Sequence, residues 1–145
     1  MKIVMVSRYP HEAGKPRGGI ESVTLILAHA LAKIDKNFVQ VVTLDQKNLG
    51  DFEFDGVHVR RLLRSNWPMV LDLNMGPTRR RLIAELRRLE PTVVHFHEAW
   101  GMGVVPTPCA QIFTVHGFDS ENLIADQDRF SRVRSVMWKL TQMRG

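Results

Sequence analysis

The chain holds one cysteine, Cys109, in 145 residues, so no disulfide can close within it. That fits a reducing compartment. Neither familiar nucleotide loop is present. There is no Gly-x-Gly-x-x-Gly fingerprint, and no Gly-Lys-Ser/Thr as a Walker loop requires. A Gly-x-Ser-x-Gly elbow is also absent. Ser120 follows His116 and Asp119, but closeness in sequence is not triad geometry. No stretch approaches the ~18–20 apolar residues of a membrane span. The opening Met1-Lys2-Ile3-Val4 is cut short as a signal peptide by Arg8 and His11-Glu12. These absences lead to the expectation of a cytoplasmic protein, or one peripheral on the cytosolic membrane face. No internal repeat or low-complexity segment is visible.

What is present reads as a globular fold. Hydrophobic residues make up 44% and charged residues 24%, which excludes a disordered chain. Length and the lack of any linker predict a single domain over residues 1–145. The net charge of +5 favours acidic partners: nucleotides, phosphorylated substrates, anionic lipid or nucleic acid.

Apolar periodicity gives the element order. Residues 3–6, 38–44, 57–63, 92–96 and 111–115 are predicted strands, with 57–63 at an edge. Residues 50–56 form a loop or weak strand. A helix is predicted over 20–33, with Val23, Ile26, Leu27, Ala30 and Leu31 as its apolar face. Asn66-Trp67-Pro68 breaks the pattern, and a second helix starts at Pro77-Thr78. Its core stripe is Leu82, Leu86 and Leu89, and Pro91 ends it. A loop follows over 101–108, and 121–143 is helical by pattern. Alternating strands and helices predict an α/β fold: a Rossmann-like parallel sheet with helices on both faces.

In such sheets ligands bind beyond the carboxyl ends of the strands. Three of those ends carry suggestive residues. Gly18-Gly19 lies between the first strand and the first helix. His95-Phe96-His97-Glu98 ends the fourth strand, and His116-Gly117 ends the fifth. Adjacent glycines before a helix let a phosphate approach the unpaired N–H groups of its first turn. A tight turn without ligand is the plainer alternative. His95 and His97 share a strand face. Packing and strand-end capping explain them better than a metal site, because no Cys/His spacing supplies further ligands. His116 is a candidate for contacting a sugar hydroxyl or developing charge, against the alternative of a hydrogen-bonded loop histidine. Arg79-Arg80-Arg81 and Arg87-Arg88 read as a solvated face, with an anionic membrane surface as the sharper option. No stacking aromatics interleave with them, so nucleic acid is not an expected partner.

Four blocks together resemble one family. They are Lys2-Ile3-Val4-Met5-Val6-Ser7, Gly18-Gly19-Ile20-Glu21, Val93-Val94-His95-Phe96-His97 and Thr114-Val115-His116-Gly117. Their order and spacing, over residues 2–117, look like the N-terminal domain of GT-B glycosyltransferases of the retaining family 4. The resemblance implies two Rossmann-like domains facing a cleft. The N-terminal one binds an acceptor that the sequence does not identify, and the C-terminal one binds a nucleotide-sugar donor. It also implies retention of anomeric configuration and no metal or other cofactor. Carried over by motif, Gly18 and Gly19 would meet the donor diphosphate or an acceptor phosphate. His116 would contact the donor sugar and act catalytically, and His97 would lie near the acceptor. The family's donor-binding domain has no counterpart here, and the single N-terminal domain over residues 1–145 is itself expected to be incomplete, since the resemblance implies a further strand and helix after 121–143. The chain therefore resembles a truncated or split enzyme, and residues 1–145 alone are not expected to transfer sugar. The alternatives are a non-catalytic partner of a subunit supplying the donor domain, or a flavodoxin-like phosphate-binding module.

Overall fold

A computed structural model describes residues 1–12, 14–34, 37–47, 49–97 and 108–116. The elements run β1 (Lys2–Val6), α1 (Gly19–Ala32), β2 (Phe38–Asp45), β3 (Gly50–Phe54), β4 (Val57–Leu63), α2 (Met69–Met75), α3 (Pro77–Leu89), β5 (Val93–His97) and β6 (Ala110–Thr114). They form one six-stranded sheet in the order β3-β4-β2-β1-β5-β6. Every pairing is parallel except β3 with β4.

Alternate residues of the strands feed two cores. Ile3, Met5, Val39, Val41, Val57 and Val59 face α1, where Ala28, Leu27 and Leu31 cover them. Val4, Val6, Val42, Val94 and Phe96 face α3 and pack on Leu82, Leu86 and Leu89. Helices on both faces explain why the central strands are apolar at nearly every position. The predicted Rossmann-like architecture is the one observed.

Three expectations are corrected. Residues 57–63 do not form the edge; β3 pairs antiparallel outside them. The turn joining these strands is Asp55-Gly56, with φ of 47° and 76°. Both central residues at positive φ match the twist of a two-residue hairpin. The buried face of α1 is also rotated from the one read off the apolar spacing. Val23 and Ile26 are 42% and 69% exposed, whereas Thr24 and Ala28 are fully buried. The reason is polar: Ser7 Oγ and Thr24 Oγ1 lie 2.6 Å apart in a buried hydrogen bond. That bond satisfies both hydroxyls and draws the small-residue face onto the sheet. Finally, α2 follows Pro68 in a stretch without strong periodicity. The helical pattern over 121–143 and the loop over 101–107 lie outside the described residues.

The chain runs from β1 to β2 on one side, then returns from α3 to β5 on the other side of β1. The strand order thus reverses between β1 and β5. At such a switch point the crossovers diverge and leave a crevice at the carboxyl edge.

Candidate functional site

A cavity of about 480 Å³ opens at that edge. Gly18, Gly19, Arg8, Arg17 and His116 line it, with Ile20, Glu21 and Val23 on the helix side. The structure thus brings together the loop after β1 and the residue following β6 that the sequence singled out separately. Arg8 and Arg17 are the residues that sequence reasoning missed. Arg17 directly precedes the glycine pair, and that adjacency is the signal that could have found it.

Gly18 is the N-cap of α1, in extended conformation (φ −163°, ψ 172°), and no side chain caps the helix. Any residue can adopt that backbone. A Cβ added at Gly18 or Gly19 would meet nothing within 4 Å. Neither the turn nor packing within the described residues therefore calls for glycine here. What a side chain would occupy is the space in front of the helix N-terminus. The Arg17 N–H donates to Glu21 Oε2 at 2.7 Å, which fixes the entry of the chain into the helix. The first turn keeps its partial positive charge turned towards the cavity, with two guanidinium side chains beside it.

The histidines form a connected set. His97 is 1% exposed, and its Nδ1 lies 2.8 Å from His116 Nε2. The two rings stack at 5.0 Å and 16°. His95 packs against His97 at 4.2 Å between centroids, and its Nε2 bonds Thr114 Oγ1 at 2.7 Å. Burial lowers the His97 pKa to about 4, with His95 and His116 adding to the effect. His95 is held below its ordinary value by burial and by His116. His97 is therefore neutral at pH 7 and carries one N–H. Its Nε2 is buried without a partner among the described residues. An unpaired buried N–H costs more than an unpaired lone pair. The proton accordingly sits on Nδ1 and is donated to His116 Nε2. With Nε2 accepting, the proton of the His116 ring lies on Nδ1 and leaves a donor there.

This places the four predicted site residues as follows. Gly18, Gly19 and His116 share one cavity wall. His97 lies beneath, in the core, and touches His116 rather than open space. Among the described residues no three His, Cys, Asp or Glu groups are arranged to hold a metal ion. On α3, Arg81 donates to the Leu63 carbonyl at 3.0 Å and Arg88 pairs with Glu85 at 2.5 Å. The basic face is thus partly engaged within the fold. No helix among the described residues is long and apolar enough to cross a membrane.

A mostly parallel, doubly covered sheet with a cationic crevice at its switch point defines a Rossmann-like α/β domain, consistent with the N-terminal half of a GT-B enzyme. The model of Glycosyltransferase Family 4 matches residues 17–144, and the chain belongs to that family. It is a glycosyltransferase-like domain, a kind of enzyme that works between a sugar donor and an acceptor. A comparison with curated proteins gives no match.

Proposed function

We propose that this chain is the acceptor-side half of a retaining GT-B glycosyltransferase. It works against a facing domain that binds a nucleotide-sugar donor. The observation that carries the reading is the single cavity shared by the Gly18-Gly19 helix opening, two arginines and His116.

The chemistry of sugar transfer from such a donor is the departure of a nucleoside diphosphate. Negative charge grows on the leaving oxygens as the sugar–oxygen bond breaks. Preorganised dipoles and cations at that point stabilise the transition state more than the ground state. In the proposed pose the α1 N–H groups meet the diphosphate, approached closely because Gly18 and Gly19 lack side chains. Arg8 and Arg17 neutralise its charge. The donor on His116 Nδ1 reaches the transferring sugar. His97 takes no part in contacting substrate; it is a positioning residue that fixes the tautomer and ring plane of His116. The exposed arginines of α3 support docking on an anionic cytosolic membrane surface.

The test is substitution in the full-length protein. Gly19→Val should fill the approach to the helix, and His116→Ala should remove the donor. Each is expected to lower the transfer rate from a nucleotide sugar while thermal melting stays close to wild type. Wild-type rates in both variants would remove these residues from the site.

A further inference from the structure

A second cavity, of about 460 Å³, lies at the same strand-end edge beyond β2 and β4, and Arg17 lines both. Its walls include Arg17, Lys47 and Arg64, with Asp45 as the carboxylate and His11 beside it. Asp45 already accepts the Lys47 backbone N–H at 2.9 Å on Oδ1, and His11 Nδ1 lies 3.3 Å from its Oδ2. Three cations therefore face one committed carboxylate. The Nε of Arg64 is buried and has no hydrogen-bond partner among the described residues. A buried guanidinium donor left open is costly unless an acceptor completes it.

The cavity is held in shape from two sides. The Arg61 guanidinium donates to the carbonyls of Pro10 (2.8 Å) and His11 (3.2 Å) and stacks over Phe52. That ties the loop after β1 down over the end of β4. The Ser65 N–H donates to Thr78 Oγ1 at 2.9 Å, which sets the first turn of α3 next to Arg64. Arg79 and Arg80 follow in that turn.

We propose that this second cavity is an acceptor subsite for a phosphate ester, with Arg64 and Lys47 as its principal ligands and Arg17 as the wall it shares with the first cavity. The proposal rests on the glycosyltransferase reading and narrows its acceptor to one carrying a phosphate. Arg64 and Lys47 against Asp45 leave about one positive charge, to which the shared Arg17 adds, and that balance favours the anionic oxygens of a phosphate ester. Arginine offers a planar fork of donors to such oxygens. The ester comes either from a soluble sugar phosphate or from a phospholipid headgroup; both present anionic phosphate oxygens to the guanidinium fork.

Binding to the full-length protein separates the cases. Calorimetry would use inorganic phosphate, glucose 6-phosphate and glucose. Sedimentation would use phosphatidylcholine vesicles with and without phosphatidylglycerol. Uridine diphosphate probes the first cavity in parallel. Arg64→Gln with Lys47→Gln is expected to weaken the phosphate-bearing probe about tenfold or more and leave uridine diphosphate affinity unchanged. Glucose should not bind. Binding of the soluble esters identifies a soluble acceptor. Binding only of the anionic vesicles, lost in the double variant, identifies a lipid one. Wild-type phosphate affinity in the double variant overturns the proposal, as does loss of that affinity through Gly19→Val alone, or binding of neither source. If phosphate binds through Arg64 and Lys47 while uridine diphosphate does not bind at all, the anion site stands and the transferase reading fails.

Discussion

Two helices of this domain open on glycine, and they use it for opposite ends. Both α1 and α3 have an extended glycine N-cap, Gly18 and Gly76, and neither has a side-chain cap from that residue. At Gly76 an added Cβ would lie 2.6 Å from the Asp72 Cα and 2.9 Å from its carbonyl oxygen. Glycine there is a condition of packing α2 against α3. The opening it makes is then filled by the protein's own anion. Asp72, 1% exposed, accepts the Thr78 N–H at 3.0 Å on Oδ1 and the Thr78 hydroxyl on Oδ2. Burial pushes its carboxyl pKa up, but the hydrogen bonds from Thr78 and Ser65 outweigh that and hold it below the ordinary value. At Gly18 and Gly19 no internal group presses and a cavity lies in front. One helix start is finished by folding. The other opens on a cavity, with the Glu21 carboxylate taken up by the Arg17 N–H.

Breaking the open end should have the largest effect. In an assay of the proposed sugar transfer, His116→Ala, or Gly19→Val, is expected to cut the rate by roughly 10²–10³-fold, as removal of one charge-stabilising donor does elsewhere. Initial rates at saturating nucleotide sugar measure it. Next comes pH. His97 has a folded pKa of about 4 against 6.5 unfolded, so the unfolded chain binds more protons between those values. Stability is intact above pH 6.5 and falls as the pH drops towards 4, by up to about 3 kcal/mol. His97→Gln should flatten that part of the profile in denaturant titrations, and an unchanged slope would assign it to other groups.

Breaking the closed end should act on stability alone. Gly76→Ala is expected to cost about 1–3 kcal/mol through forced displacement of Asp72, with activity per folded molecule unchanged. Asp72→Asn should cost about 1 kcal/mol by losing the acceptor for the Thr78 hydroxyl. Because the Asp72 pKa is lowered on folding, its contribution is present at neutral pH and lost only as acid protonates it below the ordinary carboxylate range. The smallest effect has the opposite sign. Gly19→Ala should stabilise the fold by about 0.4–1 kcal/mol, since alanine has fewer unfolded conformations to lose and nothing stands against its Cβ, while weakening uridine diphosphate. A destabilised Gly19→Ala protein would erase the contrast between the two glycines.

Much of the fold was legible because parallel strands covered on both faces are apolar throughout. Residues 3–6 and 38–44 announce themselves in that way. β3 did not, because Asp51 and Glu53 alternate with Phe52 and Phe54 on a strand with one wet face. The Asp55-Gly56 pair was its readable sign. The face of α1 misled for a different reason: a buried threonine held by Ser7 looks polar in sequence and apolar in space. The site was legible as three strand ends. That His97 touches His116 was not, because it depends on the register placing His97 opposite Thr114, two residues before His116. Arg17 and Arg64 were two arginines among many until the strand order put their cavities side by side.

That strand order also has a consequence in time. The β3–β4 hairpin closes through a two-residue turn, whereas β1 and β5 join across a separation of 90 residues, as in the Lys2–Thr92 hydrogen bond. Contacts between distant segments bear the greatest loop-closure entropy and set the pace of folding. Protection of Phe52 and Val59 amides is therefore expected early in pulse-labelled refolding, and protection of Val4 and Val94 amides late. The crevice sits where β1 meets β5, so its walls are expected to come together late in refolding.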